Sequence, residues 1–327
     1  MTDVATAAGV SHMTVSRVLN GTAHVSPATR ARVEEALRAL GYRPNAAARA
    51  LATGRSGQLA VVFFDTTLFG PASAVFAIEQ AARRQGYSIS IVSLPQLDPA
   101  SMRDAAGQLR AQAVDGAIIV APHTTAEAAL REVPAELPAV VVGSGDTAGL
   151  PLVAVDQEVG ARLATEHLLA LGHPTVVHVA GPGNWTDARA RVKGWRKALQ
   201  RAGAPVPAPL VGDWSAKSGF EAGQRLAADP QVSAIFVAND HMALGVLRAL
   251  ALAGRKVPRD VSVVGFDDVP ESPYYPPALT TVRQDFEHVG TEAVRILLDR
   301  LAGHDGAGKL LLQPELVVRD STARRRG

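Results

Sequence analysis

Five side chains that could bind a sugar lie just after apolar, β-rich runs of the sequence. Three of them, Arg191, Asn239 and Asp267, can exchange hydrogen bonds with vicinal hydroxyl groups. The other two, Trp214 and Phe286, offer flat apolar surfaces on which the C–H face of a sugar ring can pack. Because ligand groups gather at the carboxyl ends of parallel strands, these residues are expected to converge on one cleft. The large indole suits a pyranose with one apolar face, as in galactosides.

Structural roles compete with ligand binding at some of these strand ends. The run HMALGVLRAL has helical periodicity, and Asp240 directly before it is expected to be the N-cap of that helix. A structural role stays open for Asp268, and Phe286 could belong to the core. The guanidinium of Arg191 is the group for which ligand binding is favoured most.

A second group of polar side chains lies near the N-terminus, in the run DVATAAGVSHMTVSRVLNG. This run predicts two short helices joined by a turn at Gly9, a helix-turn-helix in which Ser11 caps the second helix. On this stretch alone, a two-helix surface hairpin without a partner remains an alternative. The apolar residues expected to form a small shared core are Val4, Ala5, Ala8, Val10, Val15, Val18 and Leu19. The residues expected to project from the second helix are His12, Met13, Thr14, Ser16 and Arg17.

A third helix is predicted to complete this head. Ser26 and Pro27 mark its start, as a capping serine followed by proline at the first helical position, and Gly41 marks its end. The residues expected to pack back on the first two helices are Val33, Ala36, Leu37 and Leu40.

A short alanine-rich helix is predicted after Pro44, where Asn45 can cap the run AAARALA. So short a helix is marginal in water and is expected to fold only against a partner. Its Arg49 and Leu51 supply a cation and a protruding apolar side chain, which is the chemistry of a wedge between base steps in a minor groove. The alternative interpretation, a flexible linker, suits the following run TGRSG better than it suits the alanine-rich run.

Composition and charge limit the classes of protein that remain. The chain has 327 residues, 47% hydrophobic and 20% charged, so it can bury a large core and is expected to form two or more domains. From residue 1 to 57, seven arginines occur with three acidic residues, whereas the remainder has 26 basic and 28 acidic residues. A basic head on a slightly acidic body is expected when only the head meets phosphate.

Several classes of protein are excluded or disfavoured. The absence of cysteine excludes disulfides, zinc-thiolate sites and cysteine catalysis. No apolar run is long enough to span a membrane, and the N-terminus has no export signal. A cytoplasmic protein without a membrane partner is therefore expected.

The body of the chain alternates helical stretches with β-rich runs. These runs are LAVVFF, YSISIVSL, GAIIVA, AVVVG, VVHVAG, AIFVAN and VSVVGFD. Alternation of this kind indicates an open α/β fold with parallel sheets.

One pattern in the body would suit an enzyme that uses a nucleotide cofactor. The run VVVGSGDTA carries Gly143, Gly145 and Ala148 at the spacing of a dinucleotide-binding fingerprint. The next residues, GLP, cannot open the helix whose N-terminus would hold the pyrophosphate. A nucleotide-cofactor enzyme is therefore an unfavoured alternative, and no cofactor is predicted.

The histidines of the body do not predict a metal or catalytic site. His167, His173 and His178 are close in sequence, but they are expected on a helix surface, in a loop and in a strand. No Ser-His-Asp arrangement is recognised either. We predict that the protein is not an enzyme and has no catalytic residue or metal site.

The N-terminal run, followed by VSPATRARVEEALRALGYRPNAAARALATG, closely resembles the DNA-binding head and hinge of the lactose-repressor (LacI/GalR) family. The resemblance extends over nearly the whole chain. It implies a helix-turn-helix head at 1–44, a hinge helix and linker at 45–57, and a periplasmic-binding-protein-like core of two open parallel-sheet subdomains at 58–322. The N-subdomain would comprise about 58–155 and 286–313, and the C-subdomain about 156–285 and 314–322. The chain would cross between them near Ala154, Asp285 and Pro314.

The resemblance also implies a function for the head. The protein would be a repressor that binds pseudo-palindromic, double-stranded operator DNA as a homodimer. In this family His12, Met13 and Arg17 fall at base-reading positions, and Leu51 falls at the intercalating position of the hinge helix. The full set expected at DNA is Ser11, His12, Met13, Thr14, Ser16, Arg17, Asn20, Asn45, Arg49 and Leu51.

For the core, the resemblance implies a small sugar effector, because the strand-end side chains match the family's inducer-binding positions. Sugar-binding relatives often have small polar residues where this chain has Phe64 and Val120, and Asp156 could offer a replacement acceptor. The expected ligand set, for a galactoside or related glycoside, is Phe64, Leu68, Asp156, Arg191, Trp214, Asn239, Asp267 and Phe286. A periplasmic-type sugar-binding protein would share this body, but it would need an export signal and would have no basic head.

The two ends of the sequence add two expectations. The chain starts at Met1 without the few residues that usually precede the first helix in this family, so either a misassigned start or a weakened first turn is expected. It ends in RRRG without a leucine heptad after the last predicted strand, so a dimer is expected rather than a tetramer.

Overall fold

Three short helices form the head. The computed structural model describes residues 1–19, 25–42, 55–64, 67–304 and 308–325. In the head, α1 spans Thr2–Ala8, α2 spans His12–Leu19 and α3 spans Pro27–Ala39. Gly9 ends α1 with a φ of 62°, a left-handed conformation that glycine adopts without steric cost. The Ser11 Oγ accepts a hydrogen bond from the Thr14 backbone N–H at 3.2 Å, as an N-cap does.

The three helices share one apolar core. It consists of Val4, Ala5, Ala8, Val15, Val18, Val33 and Ala36, with Val10, Leu19 and Leu37 partly buried against it. The prediction that Leu40 packs there is wrong: its side chain is 49% exposed. The reason is that α3 ends at Ala39, and Leu40 is the C-cap residue beyond the last turn.

Residues 1–57 and 58–327 form two compact units. The second unit, the core, contains two six-stranded sheets. The first sheet has the order β11-β5-β4-β3-β1-β2, and all its strands are parallel. Its strands are β1 Gln58–Phe63, β2 Ser88–Ser93, β3 Gly116–Val120, β4 Ala139–Val142, β5 Leu152–Val155 and β11 Lys309–Leu312.

Helices cover both faces of the first sheet. On one face, α4 (Phe69–Arg84) and α11 (Phe286–Leu301) pack on the sheet through residues such as Ile78 and Leu297. On the other face lie α5 (Pro99–Ala111) and α6 (Ala126–Leu130), whose apolar side chains include Met102 and Leu109. A parallel sheet covered on both faces needs strands that are apolar on both sides, and β3 and β4 are buried at every residue.

The second sheet repeats this arrangement. Its order is β12-β10-β9-β8-β6-β7, and only the pairing of β10 with β12 is antiparallel. Its strands are β6 Val177–Ala180, β7 Leu210–Val211, β8 Ala234–Val237, β9 Ser262–Asp267, β10 Thr280–Arg283 and β12 Glu315–Val317. The covering helices are α7 Gln157–Ala170 and α8 Thr186–Arg201 on one face, and α9 Ala216–Ala227 and α10 Asp240–Leu252 on the other.

The chain passes between the two sheets after β5, after β10 and after β11. These passages place β11 in the first sheet and β12 in the second, although only two residues separate the strands. The α/β fold class predicted from the alternating runs, with a helical head before two parallel-dominated sheets, is confirmed.

Two local predictions can be compared with these elements. The glycine-rich run after β4 leads directly into β5, so no helix follows Gly145 and the dinucleotide-binding geometry is absent there. The prediction that Asp240 is an N-cap is wrong, because Asn239 caps α10 by accepting a hydrogen bond from the Met242 N–H at 2.9 Å. Asp240 lies inside the helix, where its carboxylate accepts hydrogen bonds from Ser272 and Thr281.

Candidate functional site

A narrow cavity of about 80 Å³ lies between the two sheets of the core. Six of the eight residues predicted to bind the ligand line it: Leu68, Arg191, Trp214, Asn239, Asp267 and Phe286. They come from the start of α4 and α11 on the first sheet, and from β9, α8 and two strand-to-helix loops on the second. The fold therefore collects at one point side chains that are up to 218 positions apart in the sequence.

Arg191 is the central polar group of this cavity. It lies on α8 and is only 4% exposed. Its Nε donates to the Gln157 Oε1 at 2.9 Å, its Nη1 donates to the Ala238 carbonyl, and its Nη2 lies 3.6 Å from the Asp267 Oδ1. Its guanidinium carbon lies 3.8 Å from the centre of the Phe266 ring, a cation–π distance. The side chain is held in place before any ligand arrives.

Burial and charge act in opposite directions on Arg191. Desolvation lowers its pKa, whereas the carboxylates of Asp267, Asp187 and Asp240 raise it. Because the guanidinium has so high an intrinsic pKa, it stays protonated and presents a buried cation to the cavity.

Asp267 completes a polar network around the guanidinium of Arg191. Its Oδ1 accepts a hydrogen bond from Gln284 Nε2 at 2.7 Å, and Gln284 Oε1 accepts one from Gln157 Nε2 at 2.8 Å. Burial raises the pKa of Asp267 to about 6, against the lowering effects of Arg191 and Gln284. Arg191, Gln157, Gln284 and Asp267 thus form a closed ring of interactions that fixes each side chain.

Trp214 forms an aromatic wall of the cavity. Its residue adopts a φ of 74°, and Asn239 Nδ2 donates to its carbonyl at 3.1 Å. Gly181 makes room for the indole, since a Cβ there would lie 2.2 Å from the ring carbon Cη2. The indole packs edge to face on Trp185 with centroids 5.7 Å apart. Its buried Nε1 has no hydrogen-bond partner within the described part of the chain, so this donor is available to a ligand.

Asp187 also lines the cavity, although it was not among the ligand residues predicted from the sequence. Its Oδ1 is buried without a hydrogen-bond partner among the described residues. Burial raises its pKa, while Arg191 and a hydrogen bond from Ser144 lower it. One signal could have identified it: Asp187 lies four residues before Arg191 on the same helix, so both side chains share one face.

Two other residues that line or support the cavity were not among the predicted ligand residues, although both follow strands, Gln157 after β5 and Gln284 after β10. Gln157 is the first residue of α7, and Gln284 lies in the passage from β10 to α11. Both are buried amides that bridge charged groups. Polar residues in such positions resemble ordinary surface residues in a sequence.

Two of the predicted ligand residues lie elsewhere. Phe64 is not among the residues that line the cavity, and its ring packs on His123 and Trp185 with centroid distances of 5.1 and 6.0 Å. Asp156 does not supply a replacement acceptor there, because its carboxylate caps α7 by accepting from the Val159 N–H at 3.0 Å. It lines a separate and wider groove.

A short contact closes one side of the cavity by joining the two sheets. We call it the strap; it consists of residues 122–124, after β3, and residues 184–186, which lead into the first residue of α8. The backbone N–H of Thr124 donates to the Asn184 carbonyl at 3.0 Å, and that of Thr186 donates to the Pro122 carbonyl at 2.9 Å. The Asn184 Nδ2 lies 2.9 Å from the His123 Nε2, and burial lowers the pKa of His123, which favours the neutral ring that can accept this bond.

The candidate DNA-binding surface is on the head. His12, Met13 and Arg17 are exposed on α2, and Thr14 and Ser16 are half-buried beside them. Ser11 is exposed at the start of the helix and caps it. The predictions for Asn20, Asn45, Arg49 and Leu51 fall outside the described residues. Of the described part of the predicted set on α2, His12, Met13 and Arg17 are therefore the side chains most accessible to a partner.

Other site types find no support in the described ranges. No group of three or more His, Asp or Glu side chains there is placed to hold a metal ion. No helix of those ranges is long and apolar enough to cross a membrane.

The chain is similar to known proteins over nearly its whole length. Residues 1–45 match the family model "Bacterial regulatory proteins, lacI family", and residues 165–322 match "Periplasmic binding protein-like domain". The lactose operon repressor of Escherichia coli (strain K12) is 39% identical over 322 residues, 98% of this chain and 89% of that protein. A crystal structure of the lac repressor dimer bound to operator and the anti-inducer ONPF matches with a TM-score of 0.85 at 38% identity, covering 98% of both chains. A complex of the transcriptional regulator CelR with cellobiose matches with a TM-score of 0.72 at 34% identity, covering 98% of both chains.

Proposed function

The chain belongs to the lacI family of bacterial regulatory proteins, and we propose that it is a homodimeric repressor released from operator DNA by a galactoside or related glycoside. It is a DNA-binding transcriptional repressor with a sugar-binding core, as its relatives are regulators rather than enzymes. The identity of the effector, the residues that bind it and the sign of its effect on DNA binding are the parts of the proposal that need testing.

The observation that carries the sugar proposal is that Arg191 and Trp214 line one small cavity side by side, with the guanidinium carbon 5.5 Å from the centre of the indole ring. The guanidinium and Asp267 offer a buried donor and acceptor for adjacent hydroxyls, while the indole offers an apolar face and a free N–H donor. This pairing of charge and flat apolar surface is how protein sites recognise both faces of a pyranose. The similarity to the lactose operon repressor favours a galactoside, and the CelR complex with cellobiose makes a glucoside the comparison to test.

The cavity is too small for a glycoside, so ligand binding should require a conformational change of the core. About 80 Å³ is well below the roughly 300 Å³ of ordinary small-molecule pockets, so a glycoside requires the two sheets to separate or rotate. A ligand that binds only the rearranged core shifts the population towards that state. If operator binding needs the other state, DNA affinity falls by the same coupling free energy.

Two features support the DNA side of the proposal. The exposed face of α2 carries donors and an adaptable methionine suited to base edges in a major groove, and the head as a whole is basic. In the proposed mechanism, residues 45–57 act as the hinge and fold as Leu51 enters the minor groove. The head is proposed to span 1–44 and the core 58–322, with the subdomain limits given above.

Exposed apolar side chains on the core support the homodimer. Phe76 on α4 and Ile91 on the edge strand β2 are 66% and 60% exposed, and Leu252 at the end of α10 is 60% exposed. Exposed large apolar side chains of this kind are available to be buried in an interface. A two-fold dimer would present two heads to the half-sites of a pseudo-palindrome, about one helical turn apart.

The experiment begins by selecting a binding site from a random DNA library and then measures affinity by fluorescence anisotropy with a panel of glycosides. The expected result is a palindromic site bound well above nonspecific DNA, with a galactoside weakening binding more than the matched glucoside does. Absence of specific DNA binding at low salt would favour a periplasmic-type sugar-binding protein instead. Stronger DNA binding with sugar would overturn the proposed sign while leaving the family assignment intact.

A further inference from the structure

A second concavity of the core is wider than the sugar cavity and has different chemistry. This groove has a volume of about 700 Å³ and is lined from both sides of the core. The first sheet contributes the edge strand β11 and the loops after β3 and β4, while α7 and α8 form the opposite wall. Its volume lies within the range of sites that bind small molecules, roughly 300–1,000 Å³.

Basic side chains dominate the α8 wall of the groove. Arg189, Lys193, Lys197 and Arg201 are spaced four residues apart and all line it. Residues at this spacing lie on one helix face, so the four cations form a stripe about 18 Å long, at 1.5 Å of rise per residue. We call it the basic stripe. Lys309 faces it from β11, and Arg162 contributes a further cation from α7.

The acidic residues of the groove leave part of this charge uncompensated. Glu158 pairs with both Lys193 and Lys197, at 2.8 and 2.6 Å. Arg201 and Lys309 have no acidic partner within 4 Å in the described ranges, and both are exposed. The carboxylate of Asp156 is engaged in capping α7.

Two more acidic side chains in the groove already interact with neighbouring protein groups. Asp146 accepts a hydrogen bond from the Ala148 N–H at 2.9 Å, and Glu127 pairs with Arg131. The groove as a whole has six basic and four acidic lining residues, of which Arg162 is paired with Glu166 at 2.7 Å. In the described ranges Arg189, Arg201 and Lys309 have no acidic partner, and Lys309 lies on the wall opposite the other two. An anion in the groove would therefore meet net positive charge from both walls.

We propose that this groove is a second ligand site, which binds a small polyanion of the class of phosphorylated metabolites between the basic stripe and β11. Phosphate oxygens are the acceptors that arginine and lysine bind most strongly in partly desolvated sites. A neutral glycoside does not require six cations, so the groove and the sugar cavity differ in the chemistry they select. Because Lys309 belongs to the first sheet and Arg201 to a helix of the second, the bound anion contacts both halves of the core.

The groove also shares a wall with the sugar cavity. Gln157 lines the groove and at the same time accepts a hydrogen bond from Arg191, which lines the cavity. Thr186 of the strap lines the groove, and the next residue, Asp187, lines the cavity. The two sites are therefore distinct in their lining but adjacent in the structure.

The proposal is tested by isothermal titration of the full-length protein with inorganic pyrophosphate as the probe, at constant ionic strength set with sodium chloride. Pyrophosphate is expected to bind with a saturable 1:1 stoichiometry and more tightly than inorganic phosphate. The variants Arg201→Gln and Lys309→Gln each remove one cation, from opposite walls of the groove. Each is expected to weaken pyrophosphate binding about tenfold. All the substituted side chains are exposed, and circular dichroism checks that the fold is retained.

Arg196→Gln is the matched control. Arg196 lies on the same helix and is equally exposed, but it does not line the groove, so its substitution is expected to change the affinity less than about twofold. Equal weakening by all three variants would show diffuse surface charge and overturn the proposal. Full binding in Lys309→Gln would also overturn it, because the anion would then be held by α8 alone. The same holds if pyrophosphate shows no saturable binding.

Discussion

The recognition helix of the head and the sugar cavity of the core hold their candidate binding residues in opposite ways. On α2, His12, Met13 and Arg17 lie within a single eight-residue helix and project into solvent. In the cavity, Arg191 and Asp267 are buried and already bonded to other side chains. The head therefore needs only a small apolar core to orient its residues, whereas the cavity depends on the packing of two sheets.

Because of this difference, a substitution on α2 should change DNA affinity without changing the stability of the head. A substitution in the cavity should change both ligand affinity and the stability of the core. An exposed side chain can be removed without leaving any buried group unpaired, so the expected cost is confined to the DNA complex. Removal of a buried charged side chain leaves its partner uncompensated, so both the fold and the site are affected. If the two regions differ in this way, only substitutions in the cavity should change the unfolding free energy as well as the binding affinity.

Arg191→Ala is expected to have the largest effect. It removes two hydrogen bonds and leaves Asp267 without its cation, so glycoside affinity should fall about 100-fold or more and the core should lose about 3 kcal/mol of unfolding free energy. Calorimetric titration and urea unfolding measure the two effects. Operator binding without effector should stay within a few fold of wild type.

Arg196→Ala on the same helix is the control for Arg191→Ala, and neither quantity should change. If Arg191→Ala binds glycosides as the wild type does, the assignment of the cavity as the sugar site is wrong.

An engineered disulfide across the strap should slow ligand exchange, and reduction of the disulfide should reverse the effect. His123 and Trp185 face each other as an antiparallel bridge flanked by two backbone hydrogen bonds, a non-hydrogen-bonded pair whose Cα atoms lie about 4.5 Å apart in typical sheets. Because the chain has no cysteine, His123→Cys/Trp185→Cys can form only one intramolecular disulfide. Stopped-flow fluorescence should show glycoside association about 100-fold slower in the oxidised form.

The reduced form of the same double variant is the matched control, since it carries both substitutions without the bond. Its association rate should return on addition of reductant. Equal rates in the two forms would mean that the strap does not have to open for the ligand to enter.

The core should lose stability on mild acidification because of His178. Its ring is fully buried and stacked on Phe236, and desolvation lowers its pKa from 6.5 to about 4. Between these values the unfolded chain binds a proton that the native protein does not, so the unfolding free energy falls as pH drops from about 6.5 to 4, by about 3 kcal/mol in total. Urea unfolding followed by the fluorescence of the neighbouring Trp195 measures the change.

His178→Phe keeps an aromatic ring beside Phe236 and removes the titrating group. Its profile should be flatter over this pH range, although its stability at pH 7 should be lower by about 1 kcal/mol because the bond to the Phe236 carbonyl is lost. The head offers a contrast, because its buried residues in the described ranges are all apolar. Identical slopes for wild type and variant would show that other groups set the pH dependence.

Arg17→Ala should have the smallest effect. The residue is exposed on α2, so its loss should reduce specific DNA affinity by about 1–3 kcal/mol and relax the base preference at one position. Arg38→Ala on α3 is the control, because that side chain is exposed but outside the recognition helix. Anisotropy titrations with the selected site and single-base variants distinguish the two, and equal weakening on every sequence would mean that Arg17 contacts only phosphate.

The sequence predicted the head and the general composition of the cavity for different reasons. The head is a local structure, and the spacing of Val4, Ala8, Val15 and Val18 is enough to place its helices. The strand-end rule located Arg191, Trp214, Asn239 and Asp267, because parallel strands bring their carboxyl ends to one edge.

The sequence-based predictions were wrong or incomplete where the role of a side chain depends on the exact start of a helix or on a partner far away in the sequence. Asp240 was expected to cap α10, but the helix begins there and Asn239 takes the cap, which directs Asp240 into the core. Asp156 was expected in the cavity, but it caps α7 and lines the groove instead.

The sequence alone thus determined the helix-turn-helix, the alternation of strands and helices, and which strand ends carry polar residues, since all of these depend on local periodicity. The tertiary structure decided that Gln157 and Gln284 bridge Arg191 to Asp267, that Asp187 shares their cavity, and that the strap and the groove join the two halves of the core. These arrangements bring together residues that are far apart in the sequence, such as Gln157 and Gln284, which are 127 positions apart. Only the packing of the two sheets sets the distances between them.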